Sequence, residues 1–142
     1  MPVSEFNDTY FIRFLHLLGI QRQDPGFETL KELVREFMTR IPFENISKLY
    51  YRKHLGLTHL IDFELYLKGI EKYHFGGTCY ANNYYLNLLL KWLGHEVKLC
   101  GADMSDPDIH IVNIVKIKNR EYLVDVDYAA PFAEPLPLDL SM

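Results

Sequence analysis

In the run Phe75-Gly76-Gly77-Thr78-Cys79-Tyr80-Ala81-Asn82-Asn83, a thiol follows two glycines and a threonine, and a helical apolar pattern begins just after it: Tyr84, Tyr85, Leu88, Leu89, Trp92. Glycine adopts backbone conformations closed to other residues and brings no side chain to the approach. Thr78 is suited to cap the helix, which puts Cys79 in its first turn. There the unpaired N–H groups and the helix dipole favour a thiolate over a thiol. A free cysteine is more often a packing residue than a nucleophile. Nucleophilic chemistry therefore requires a base, and a group that orients the base.

His110 and Asp125 are the candidates for those two roles. His110 lies near the start of an apolar run, 109–117, and Asp125 within a second, 121–126. A hairpin turning on Lys118-Asn119 sets Asp125 opposite Val112. His110 is then the diagonal neighbour on the same face, about 7–8 Å away between backbones. A turn at Asn119-Arg120 would move the pair apart. An aspartate among Leu123, Val124 and Val126 needs a partner if it is buried. Each residue alone has an ordinary reading: a strand histidine is mostly structural or exposed, and Asp125 can equally meet solvent or a backbone N–H. Asp127 shares the face and competes for the role. Cys100 reads as an inert strand residue. His16, His54, His59, His74 and His95 lack a matching acid and read as surface or packing residues. The weight comes from the combination, glycine-glycine-x-cysteine, then histidine, then aspartate.

The elements that must position these groups follow from periodicity. Helices are expected over 7–18 (capped by Asn7 or Asp8), 27–40, about 62–71 (capped by Asp62), and from Cys79 to Gly94. Tyr50 to Leu57 reads as a loop. Strands are expected over 95–101, 109–117 and 121–126, before a proline-rich end with Pro131, Pro135 and Pro137. Helices followed by strands indicate an α+β fold. The expected division is a helical domain, 1–94, carrying the nucleophile, and a partial β domain, 95–142, carrying the histidine and the aspartate. Three strands leave an unpaired edge, to be covered by a helix or by a partner, as in self-association into a homo-oligomer, unless the chain stops before the fold is complete.

At 142 residues, 49% hydrophobic and 24% charged, the chain has the makings of one globular core. A net charge of −4 argues against nucleic acid or an anionic membrane as partner. No apolar run reaches the ~20 residues that span a bilayer. The start, Met1-Pro2-Val3-Ser4-Glu5, does not read as a signal peptide, so a cytoplasmic location with both cysteines free is expected. Neither cysteine has zinc-site spacing, and no metal is expected.

Ile41-Pro42-Phe43-Glu44-Asn45, Gly76-Gly77-Thr78-Cys79, His110 on its strand, and Val124-Asp125-Val126 together resemble the arylamine N-acetyltransferases, in the same order and over about residues 7–138. The resemblance implies a helical N-terminal domain joined to an antiparallel β-sheet or partial barrel. It also implies a cysteine-protease-like triad of Cys79, His110 and Asp125. The implied reaction is ping-pong: the thiolate takes acetyl from acetyl-CoA, a co-substrate with no bound cofactor beside it, and passes it to an arylamine, arylhydrazine or N-hydroxyarylamine. The residues that bind donor and acceptor are not assigned. Phe75 stands where the family usually has an arginine that pairs with the glutamate equivalent to Glu44, so Glu44 must find another partner. Ala81 replaces a family glutamate, Asn83 keeps a family asparagine, and Asp127 replaces a glycine. Family chains are about twice as long, so a C-terminal lid domain is expected to be missing. Two alternatives follow: a non-enzymatic, self-associating remnant, or another thiol-based amide synthase or hydrolase.

Overall fold

The computed structural model describes residues 6–101, 111–126 and 135–138. Five helices precede the sheet: α1 (Asp8–Leu18), α2 (Phe27–Arg40), α3 (Ile46–Leu55), α4 (Phe63–Tyr73) and α5 (Cys79–Trp92). The strands are β1 (Glu96–Gly101), β2 (Ile111–Ile117), β3 (Arg120–Val124) and β4 (Leu136–Pro137), antiparallel in the order β1-β2-β3-β4. The α+β expectation holds.

Local sequence explains most of the boundaries. Asn7 caps α1 by accepting from Thr9 N, and Asp62 caps α4 by accepting from Leu65 N at 2.8 Å. In α2 the buried residues Leu30, Leu33, Val34 and Phe37 form one stripe, and the helix stops before Pro42. The stretch expected to be a loop at Tyr50–Leu57 is instead mostly helical, and lies in α3 up to Leu55.

Helix α5 is the centre of the molecule. Nine of its residues are buried, spread around its whole circumference, because helices pack on one side and the sheet on the other. Tyr85 stacks on Phe63 and Tyr66, with ring centroids 4.7 and 4.8 Å apart, and its hydroxyl donates to the Ile61 carbonyl. On the sheet side, Val115 and Val124 join the same core. Arg13 of α1 reaches both Glu64 and Glu71 of α4, at 2.6 and 2.7 Å, and ties these helices together on the surface.

The β2–β3 hairpin turns on Lys118 and Asn119, both with positive φ (51° and 68°), and pairs Ile117 with Arg120 through to Asn113 with Val124. This is the register from which the His110–Asp125 pairing was derived. A fourth, two-residue strand is present, in contrast to the three-strand expectation. Leu136 and Pro137 pair with Leu123 and Tyr122, so the edge that suggested self-association is covered there.

His95 leads into β1 and is buried, and neither ring nitrogen meets a partner at full hydrogen-bond geometry among the described residues. Burial pushes its pKa down, and the nearby Gly26 and Leu90 backbones offset only part of this. The folded chain thus keeps His95 neutral at pH values where an unfolded chain takes up a proton. Its contribution to stability is complete above the unfolded pKa of about 6.5 and falls as the pH drops towards the folded value, by at most about 1.4 kcal/mol per pH unit. Urea midpoints measured from pH 8 to pH 5 are expected to fall less in His95→Leu than in the unaltered chain. Parallel curves would show that His95 carries none of this acid sensitivity.

Candidate active site

Two distant segments meet at the glycines. Gly77 N donates to the Pro42 carbonyl at 3.2 Å and Glu44 N donates to the Gly77 carbonyl at 3.1 Å, a short parallel bridge. Gly76 lies so close to this bridge that a Cβ on it would sit 1.8 Å from the Pro42 carbonyl oxygen. Both glycines are therefore required for close approach. The left-handed freedom of glycine is not what is used, since neither lies in that region.

Glu44 finds the partners that Phe75 cannot provide. One carboxylate oxygen accepts from Ser47 N at 2.7 Å, and the other accepts from Ser47 Oγ at 2.6 Å and Gly76 N at 3.2 Å. A single carboxylate thus holds the first turn of α3 and the first glycine together. Asn82 secures the second from inside the helix: its Nδ2 donates to the carbonyls of Gly77 and Pro42, while its Oδ1 accepts from Tyr66 OH at 2.6 Å.

Cys79 is the first residue of α5, half-buried, and the Thr78 hydroxyl accepts from Ala81 N. The cap expected from the sequence is present, and the dipole of α5 favours negative charge on the sulfur. In front of Cys79 opens a cleft of about 720 Å³, walled by α3, residues 57–61 and the start of α5. Phe43, Tyr51 and Ile61 supply apolar wall, and Lys48 and Arg52 line it as well.

Asn83 sits one helical turn after Cys79, on the same side of α5. It is fully buried; its Nδ2 donates to Asp125 Oδ1 at 3.1 Å and its Oδ1 accepts from Val126 N at 3.3 Å. Asn113 of β2 donates to the Asn83 carbonyl and accepts from Asn87, both at 3.0 Å. This buried asparagine relay ties the helix that begins at Cys79 to β2 and to the end of β3. Asp125, half-buried, is thereby held to α5 within a turn of Cys79. His110 and Asp127 lie outside the described residues. Cys100 is half-buried on β1, and His59 lines the cleft. Among the described residues no group of His, Cys, Asp and Glu could hold a metal ion, and no helix is long and apolar enough to cross a membrane.

Reading by sequence missed α3 and with it Tyr51, Lys48 and Arg52. The signal was Gly56, which closes the helix at φ 66° after Arg52, Lys53 and His54 in the last turn. It also treated Asn83 as a retained motif residue and did not pair it with Asp125.

A family profile described as N-acetyltransferase matches residues 26–141. The pineal gland isozyme NAT-3 arylamine N-acetyltransferase of Gallus gallus is 31% identical over 139 residues, covering 92% of this chain and 46% of that protein. An N-malonyltransferase of Gibberella moniliformis is 36% identical over 101 residues, covering 66% of this chain and 28% of that protein. The Mycobacterium marinum arylamine N-acetyltransferase, solved in complex with CoA, superposes with a TM-score of 0.71 at 25% identity, covering 93% of this chain and 52% of that one. The chain spans about half the length, or less, of the curated relatives it matches. With the glycine bridge, the capped cysteine and the asparagine-held aspartate in place, the profile match identifies this chain as a member of the arylamine N-acetyltransferase family.

Proposed function

We propose that this chain transfers an acetyl group from acetyl-CoA, through a thioester on Cys79, to an arylamine, arylhydrazine or N-hydroxyarylamine. The observation that carries the reading is the position of Cys79, at a capped helix start that faces a substrate-sized cleft. His110 is the base and Asp125 orients it. The hairpin register and the Asn83–Asp125 hydrogen bond support that assignment.

In the first half-reaction His110 takes the thiol proton and Cys79 Sγ attacks the thioester carbonyl carbon. The carbon–sulfur bond to CoA breaks, and the CoA thiolate leaves with the proton from His110. In the second, the amine nitrogen attacks the acetyl carbonyl and gives a proton to His110. The carbon–sulfur bond to Cys79 breaks, and the thiolate recovers its proton. The chicken relative is named for acetyl transfer and the fungal one for malonyl transfer. Acetyl is adopted because the chicken relative covers more of this chain, 92% against 66%. Residues 1–94 then act as the nucleophile-bearing part and 95–142 as the part bearing base and orienter, in a cytoplasmic protein.

The test is intact mass after incubation with acetyl-CoA. A gain of one acetyl group is expected, absent in Cys79→Ala and discharged by 4-aminobenzoate or a hydrazine. A folded protein that gains no acetyl group at any pH from 6 to 9 would overturn the reading.

A further inference from the structure

We propose that the Cys79 cleft selects a substrate bearing an oxyanion, a carboxylate or a phosphate, and holds it with Lys48 and Arg52 of α3; this rests on the acyl-transfer reading above. The two residues are four positions apart, so they share one face of the helix, and both line the same cleft as Cys79. Among the described residues no aspartate or glutamate lines that cleft, although acidic residues outnumber basic ones in the chain, 19 to 15. Arg13, Arg40 and Lys98 each meet a glutamate, whereas the side chains of Lys48 and Arg52 have no such partner among the described residues. Glu44, the nearest acid in sequence, is already engaged with Ser47 and Gly76.

Two cations with no acidic partner among the described residues, facing a partly apolar cleft, attract an anion more strongly than the same charges on open surface. A role in offsetting the dipole at the C-terminal end of α3 would account for Arg52, Lys53 and His54 alike. Only Arg52 of these lines the cleft, and Lys48, a turn earlier, lies outside that role. The oxyanion has three sources in this reaction: the transferred acyl group, the acceptor, or the phosphates of the donor's carrier.

Steady-state kinetics with three matched pairs separate these sources: malonyl-CoA against acetyl-CoA, 4-aminobenzoate against its methyl ester, and acetyl-CoA against acetyl-pantetheine. The unaltered chain is expected to favour the more anionic member of at least one pair by about tenfold in KM. The Lys48→Gln, Arg52→Gln double variant is expected to lose that preference, and the pair in which it disappears names the source. No preference in any pair, or one that survives the double substitution, overturns the proposal. Both side chains are exposed, so the variant should fold like its parent, which circular dichroism checks. Should Cys79 not be acylated even by neutral S-acetyl-N-acetylcysteamine, the acyl-transfer reading fails by itself. The anion site is then judged by calorimetric binding of CoA and 4-aminobenzoate to Cys79→Ala, with and without the double substitution. Equal binding overturns it, and weaker binding in the double variant sustains it.

Discussion

Gly76→Ala is expected to destabilise the folded chain by about 3 kcal/mol, more than most single-methyl additions. The new Cβ would lie 1.8 Å from the Pro42 carbonyl oxygen, 2.7 Å from its carbon and 2.9 Å from the Pro42 nitrogen. All three are backbone atoms, so no side chain can rotate away. The two segments must separate by more than 1 Å to reach a contact that a real Cβ tolerates. That displacement breaks the Gly77–Pro42 and Glu44–Gly77 hydrogen bonds and pulls Gly76 N from the Glu44 carboxylate. Each of these contributes about 1 kcal/mol net. Gly77→Ala provides the comparison. Its Cβ would meet Asn82 Oδ1 at 2.9 Å and the Ala81 Cβ at 3.1 Å, both side-chain atoms, and a loss of about 1–2 kcal/mol is expected. Urea denaturation followed by circular dichroism measures both. A Gly76→Ala midpoint close to that of the unaltered chain would mean that residues 42 and 76 are not in contact.

Asn83→Ala should damage both stability and chemistry. Asn83 is fully buried, and its removal leaves Val126 N–H without its acceptor and takes the Asn83 amide donor from Asp125 Oδ1. A buried donor stripped of its partner costs about 1–3 kcal/mol. If Asp125 orients the base as proposed, acylation of Cys79 should slow by about 100-fold, because small misplacements of catalytic groups are costly. Asn83→Asp separates the two effects. It keeps an oxygen for Val126 N but sets a second carboxylate against Asp125. Like charges at this distance raise the apparent pKa of the pair in the folded chain. The sign follows: stability is nearest to that of the unaltered chain at low pH, where the pair shares a proton, and falls as the pH rises through the elevated value. A thermal midpoint for Asn83→Asp that shadows the unaltered chain from pH 4 to pH 8 would show that the two side chains do not face each other.

What could be read from the sequence depended on whether local pattern and burial agree. In α2 the apolar stripe is the buried stripe, and its span is correct to the residue. Around α5 a Thr cap, a long apolar run and Gly94 all mark the same helix. In α3 the relation is reversed: Ile46, Leu49 and Leu55 are 67%, 62% and 60% exposed, while the buried residues are Ser47 and Tyr51. Periodicity analysis assumes that apolar residues face inward, so it found no helix there. The site divided in the same way. The placement of Cys79 at a capped helix start was legible because its signals, glycines, cap and apolar run, are contiguous. The partners of Glu44 and Asp125 were not, because a buried polar contact between residues far apart in sequence leaves no local trace. The role of the two glycines was misread for a related reason: the atoms they make room for belong to Pro42.

The turn at Lys118 and Asn119 acts as a ruler for the site. Side chains alternate faces along a strand, so the number of residues in a turn sets the parity of everything beyond it. Two residues at this tip give Val124 to Asn113 as partner and deliver Asp125 to the end of Asn83. One residue more or fewer would exchange the faces of β3, turning Tyr122 and Val124 out of the core. A surface loop with no side chain in the cleft thus decides, by counting alone, which face of β3 meets the helices. Changes in its length should therefore be tolerated far less well than changes in its composition.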